Sequence, residues 1–100
     1  MSIRLKKRFR LGKVAASFRA LDALLDAAQD TDFFFPRHSR GDWGYGDTAA
    51  NELALATGGT VISEYKTLKG VRLLVVTDLG LKRTVCVLSD EPCILLPDQY

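Results

Sequence analysis

Apolar positions change their period twice along this chain. From Phe9 to Ala16, the residues Phe9, Leu11 and Val14 stand apart among polar neighbours, a spacing that predicts a short strand or extended entry segment broken at Gly12. Ser17 then offers an N-cap. Phe18, Leu21, Leu24, Leu25 and Ala28 recur as one helical stripe, predicting a helix over about 18–28 with Arg19, Asp22 and Asp26 facing away. Asp30-Thr31-Asp32 suits the cap of a short second helical turn carrying Phe33, Phe34 and Phe35. Pro36 biases Phe35 toward extended geometry and leads into a glycine-rich loop. Asp47 or Thr48 caps a further helix to about Thr57, which Gly58-Gly59 stops.

Beyond Gly59 the period shortens. Thr60–Leu68 alternates weakly, with Ser63 between Val61 and Tyr65 on one face, and Lys69-Gly70 makes a tight turn. Val71–Thr77 is nearly continuous in apolar residues, as a central strand covered on both sides would be. After Asp78-Leu79-Gly80, Lys82–Leu88 alternates again; Ser89–Pro92 turns, and Cys93–Leu96 adds a short edge strand before Pro97. Helices followed by closely linked strands predict an α+β domain: two to three short N-terminal helices packed on a three- to four-stranded antiparallel sheet, a meander, because short linkers cannot make parallel crossovers. Phe18, Leu21, Leu25 and Leu53 are expected to pack on the sheet face around Leu74 and Val76.

Composition narrows the class without naming a reaction. The 100 residues, 47% hydrophobic and 26% charged, suit one globular domain. No apolar run approaches the ~20 residues of a membrane span, and no secretory leader pattern is present, so a cytoplasmic protein without a membrane partner is expected. Cys86 and Cys93 lie in no C-x-x-C pattern and have no histidine pair, which reads as two small buried residues; no metal and no cofactor are expected. Charge is unevenly placed. Residues 1–13 hold Arg4, Lys6, Lys7, Arg8, Arg10 and Lys13 and no acid, whereas the remaining 8 basic residues meet 12 acidic ones. The chain therefore divides into a mobile basic arm, 1–8, and a single α+β domain, 9–100. Arg4, Lys6, Lys7, Arg8 and Arg10 are candidate phosphate contacts for auxiliary nucleic-acid binding, with Phe9 available to stack on a base.

The segment from Arg37 to Asp47 concentrates the remaining chemistry. It contains the one His, the one Trp and three glycines. Trp43 either plugs the end of the sheet or anchors a partner together with Tyr45. His38 and Asp42 are the candidate acid–base pair, with the carboxylate orienting the imidazole, but no nucleophile in a recognisable setting accompanies them. The glycine pattern of residues 41–46 lacks the preceding strand and the following Lys-Ser/Thr of a phosphate loop. The run Phe33-Phe34-Phe35 cannot be buried on one face of a regular element, so at least one of the three is expected to cover a loop or an interface, including that of a homodimer.

His38-Ser39-Arg40-Gly41-Asp42-Trp43-Gly44, followed by Asn51, the hairpin strands and Leu95-Leu96-Pro97-Asp98-Gln99-Tyr100, resembles a widespread family of small bacterial proteins. Its members look like a short "LG-V" strand, a helix, an "RH-x-x-GDWG" loop, an Asn-containing helix and a hairpin ending in "LLPEEY". The likeness runs over about residues 11–100. The chain departs from the pattern in its basic arm, in a less acidic link from loop to helix, and in residues 89–93 before the terminal Leu-Leu-Pro. The resemblance implies the one-domain fold and a setting in genomes and mobile elements, and it implies no reaction.

Together these readings predict a small non-enzymatic interaction module, regulatory or accessory, of mobile-element or anti-defence character. It would bind a protein partner through the Phe33–Tyr45 region, with Phe34, Arg37, His38, Arg40, Asp42, Trp43 and Tyr45 as contacts. The alternatives are a small-ligand binder or hydrolytic enzyme centred on His38 and Asp42, and nucleic-acid binding through the arm.

Overall fold

The computed structural model describes residues 6–91, so Arg4, Cys93 and the strand expected over Cys93–Leu96 lie outside it. Four strands, β1 (Lys13–Ala16), β2 (Thr60–Lys66), β3 (Arg72–Asp78) and β4 (Arg83–Leu88), form one sheet in the order β1-β4-β3-β2. Three helices, α1 (Phe18–Asp26), α2 (Phe35–Arg40) and α3 (Thr48–Thr57), fill the connection between β1 and β2, with a 3₁₀ turn at Thr31–Phe33. The α+β class holds. No helix among the described residues is long and apolar enough to cross a membrane.

The sheet is mixed, not antiparallel throughout. β2, β3 and β4 make the expected meander, with Ser63 opposite Val75 and Val75 opposite Cys86. β1 joins the far side of β4 in parallel, Lys13 beside Arg83 and Ala16 beside Cys86. Short linkers constrain only strands that are neighbours in sequence. β1 reaches β4 from the other end of the chain, and the whole helical section serves as the long connection that a parallel neighbour requires.

α1 is rotated by about a quarter turn from the expected stripe, so that Leu24 stays inward while Phe18, Leu21, Leu25 and Ala28 turn out. Ser17 caps it by accepting from the Ala20 N–H at 3.1 Å, as its sequence indicated. Ala20, Leu24 and Ala27 are the buried positions, while Phe18 is 87% and Leu25 77% exposed and Leu21 also faces out. Apolar residues cover one broad arc of the helix, and the edge of that arc bearing Ala20, Leu24 and Ala27 is the one set against the core. Leu53 on α3 is likewise exposed. The helices lie on the face carrying Val61, Tyr65, Leu73, Val75, Cys86 and Leu88, opposite to Leu74 and Val76. Leu74 and Val76 join Val85, Val87 and Ala15 in a separate apolar cluster on the other face, which accounts for the continuous apolar run of β3.

Pro36 sits inside α2, not in a loop. It occupies the first turn, where its missing N–H has no intrahelical acceptor to lose. Gly41, left-handed at φ 93°, ends the helix.

Candidate functional site

Three residues after α2, Trp43 inserts beneath α3 against Ala54 and Val61. It is 3% exposed, and its indole N–H donates to the His38 carbonyl at 3.1 Å. The chain then runs along the outer edge of β2. Tyr45 N–H donates to the Glu64 carbonyl at 2.8 Å, and Glu64 N–H donates back to the Trp43 carbonyl at 3.1 Å. Gly44 makes this possible. Its φ is 61°, and a Cβ there would overlap the Glu64 carbonyl oxygen. One turn into α3, Asn51 continues the edge: its amide donates to the Ile62 carbonyl at 2.8 Å, and its carbonyl accepts from the Ile62 N–H at 2.9 Å. The loop and Asn51 thus occupy the pairing groups of β2 that an edge strand would otherwise present to another chain.

His38 lies wholly inside the protein. Nδ1 is 2.5 Å from Ser63 Oγ and Nε2 is 2.9 Å from Thr77 Oγ1, with Phe9 edge-on to the ring at 5.2 Å between centroids. Thr77 Oγ1 lies 2.6 Å from Thr84 Oγ1, and Thr84 donates to the Leu11 carbonyl at 2.6 Å. The direction of this chain of hydrogen bonds follows from its end. The Leu11 carbonyl can only accept, so Thr84 spends its proton there and accepts from Thr77; Thr77, its proton spent, accepts from His38. Nε2 therefore carries the ring proton, and Nδ1 accepts from Ser63. Burial pushes the imidazole down to about 4, so the ring is neutral at ordinary pH.

The sequence-derived acid–base pair does not form. The Asp42 carboxylate turns away from His38 and accepts from Arg37 Nε at 2.8 Å, a bond that holds it below the usual carboxylate range. The Asp42 carbonyl instead receives the Tyr65 hydroxyl at 2.5 Å, and burial pushes that hydroxyl up to about 12. The Arg37 guanidinium also lies over the Tyr65 ring, 4.7 Å from its centroid. Cys86 is a free, buried thiol pushed up to about 12 by its burial, inert as a nucleophile at neutral pH.

Of the seven partner-contact candidates, Phe34, His38 and Trp43 are buried and Arg37 is half-buried, while Arg40, Asp42 and Tyr45 face solvent. Phe33 is exposed beside them. Of the arm, Arg8 is engaged: it pairs with Glu52 at 2.5 Å and lies over Trp43, and its N–H donates to the Ser39 carbonyl. Lys6, Lys7 and Arg10 are exposed. Phe9 packs on His38, so it is not turned out for stacking on a base.

Ser63, Thr77 and Thr84 escaped the sequence reading as a set. Their one signal was a polar residue at an inward position of each strand, Ser63 between Val61 and Tyr65 most plainly. Among the described residues, no group of three His, Cys, Asp or Glu side chains could hold a metal ion. The chain matches no protein-family model, no curated protein and no solved structure.

Proposed function

We propose that this chain is a small non-enzymatic interaction module, regulatory or accessory in role, that docks a protein partner through the outward half of the Phe33–Tyr45 segment. The observation that carries this reading is the division of that segment. Phe34, His38 and Trp43 fasten it to the sheet, while Tyr45, 69% exposed, stands out with Phe33, Arg40 and Asp42. Lys66 lies over the Tyr45 ring, 5.3 Å from its centroid, keeping a cation at the rim. A rigid loop that displays an aromatic side chain with charges of both signs loses little conformational freedom on binding, the property that makes such residues interface anchors. The occupied ring nitrogens of His38 and the engagement of Asp42 by Arg37 support the non-enzymatic reading over a hydrolytic one. On this proposal the chain is a member of the small bacterial family that its RH-x-x-GDWG segment resembles, and the mobile-element or anti-defence setting rests on that resemblance.

The test is capture of partners from host lysate by tagged protein, at low and at high salt, with wild type beside a Phe33→Ser/Tyr45→Ala double variant. A stoichiometric protein partner that survives high salt and is lost from the double variant, with its melting temperature kept within a few degrees, is the expected result. A partner retained by the stable double variant removes the segment from the interface. A restriction or defence component among the captured proteins would support the anti-defence setting, and a housekeeping assembly would count against it.

A further inference from the structure

Two parts of the chain about 70 residues apart bring their cations together at one end of the sheet. The root of the N-terminal arm is fixed against the β3–β4 turn. Gly12 adopts φ 68° where a Cβ would overlap the Lys82 carbonyl, Lys13 N–H donates to that carbonyl at 3.0 Å, and Thr84 holds the Leu11 carbonyl. This packing, at the far end of the His38 chain of hydrogen bonds, sets Lys13 beside Arg83 on the sheet face opposite the helices. Lys82, left-handed at φ 56°, projects from the turn next to them, and Lys6, Lys7 and Arg10 are exposed along the arm. Among the described residues, ion pairs involve Arg8, Arg19 and Arg37, and none involves these six cations. The carboxylate opposite Arg83 in the β3–β4 register is that of Asp78, which accepts from the Leu81 N–H at 2.9 Å. Between Lys13 and Arg83 opens a concavity of about 260 Å³, lined also by Val14, Ala15, Thr84 and Val85.

We propose that this end of the sheet binds the phosphate backbone of double-stranded nucleic acid, with Arg10, Lys13, Lys82 and Arg83 as the phosphate contacts. Three residues span at most ~10 Å and neighbouring strands lie ~4.8 Å apart, so the cations from Arg10 through Lys13 to Arg83 spread over no more than about 15 Å. A lone phosphate or carboxylate meets one or two of these cations, whereas a polymer of phosphates meets all of them. With Phe9 packed on His38, the contact is to the backbone and indifferent to sequence.

The experiment measures binding of the full-length chain to a fluorescent DNA duplex of ~20 base pairs by anisotropy, between about 50 and 200 mM salt. Four phosphate contacts predict that log K falls with log salt at a slope of about −3 to −4. Lys82→Gly/Arg83→Gln should flatten that slope by about 2 and weaken binding at least about tenfold at low salt, with folding checked by thermal melting. Should the double variant unfold, Lys82→Gly alone suits the left-handed backbone and should flatten the slope by about 1. An unchanged slope in a folded variant, absence of binding at low salt, or tighter binding to phosphatidylserine vesicles than to duplex would each overturn the proposal. The Phe33→Ser/Tyr45→Ala variant should bind duplex like wild type, which separates this surface from the protein-docking segment.

Discussion

Lowering the pH from about 7.5 to 5 protonates the histidine of the unfolded chain but leaves the buried ring neutral. His38 is the only histidine in the protein, so the effect has one source. Its folded-state value, about 4, lies below the ordinary 6.5. The unfolded state therefore binds more protons throughout the interval between them, and stability falls with falling pH across that window only. Each unit of separation is worth ~1.4 kcal/mol, so the loss is roughly 2 kcal/mol by pH 5 and roughly 3 kcal/mol by pH 4, where it levels off. Asp42 and Glu52, both held below the usual carboxylate range by their arginine partners, lose their contributions as the pH falls through their depressed values, below most of this window. The assay is urea unfolding followed by Trp43 fluorescence at several pH values, since the one Trp is buried against the His38 carbonyl. His38→Gln should be less stable at neutral pH yet lose the slope between pH 6.5 and 4. Imidazole resonances should stay fixed in the native protein down to pH ~5. A ring that titrates near 6.5, or a glutamine variant that keeps the wild-type slope, would refute the reasoning.

Three further outcomes follow from the geometry. Gly44→Ala should cost more than ~2 kcal/mol in chemical denaturation, because left-handed strain adds to overlap with the Glu64 carbonyl; Gly58→Ala, also left-handed but open within 4 Å, should cost only about 1 kcal/mol. Asn51→Ala strands the Ile62 N–H and carbonyl at the β2 edge and should cost about 2–4 kcal/mol, with faster amide exchange at Ile62. On α1, Phe18→Ser should leave stability within about 0.5 kcal/mol, whereas Leu24→Ala should cost about 2–5 kcal/mol by thermal or urea unfolding. A Phe18→Ser cost as large as that of Leu24→Ala would mean that α1 packs on the stripe that carries Phe18.

Sequence periodicity by itself determined α1, α3, the three strands of the meander and the class, but not α2, where Pro36 in the first turn read as the start of a loop. Ser17, Asp47 and Gly58 mark helix ends because capping is a local matter of one side chain or one φ angle. The meander was legible for a similar reason, since a short linker leaves neighbouring strands a single orientation. Which side of α1 faces in, which strand lies beside β4, and where His38 points are decided between residues 25 to 75 positions apart. No local pattern carries that information. The buried edge of α1 centres on Ala20, Leu24 and Ala27 although Phe18, Leu21 and Leu25 are as large or larger, because a broad apolar arc leaves open which of its edges meets the sheet. The Arg37–Asp47 segment looked like exposed chemistry because a lone His, a Trp and several glycines are as suited to a binding loop as to an edge seal. Only the fold supplied Ser63, Thr77 and Thr84 as partners for the imidazole and the Glu64 carbonyl against Gly44. Lys82 and Arg83 were ordinary turn and strand residues until tertiary packing set them beside Lys13, because charges separated in the chain add their fields only when the fold brings them together.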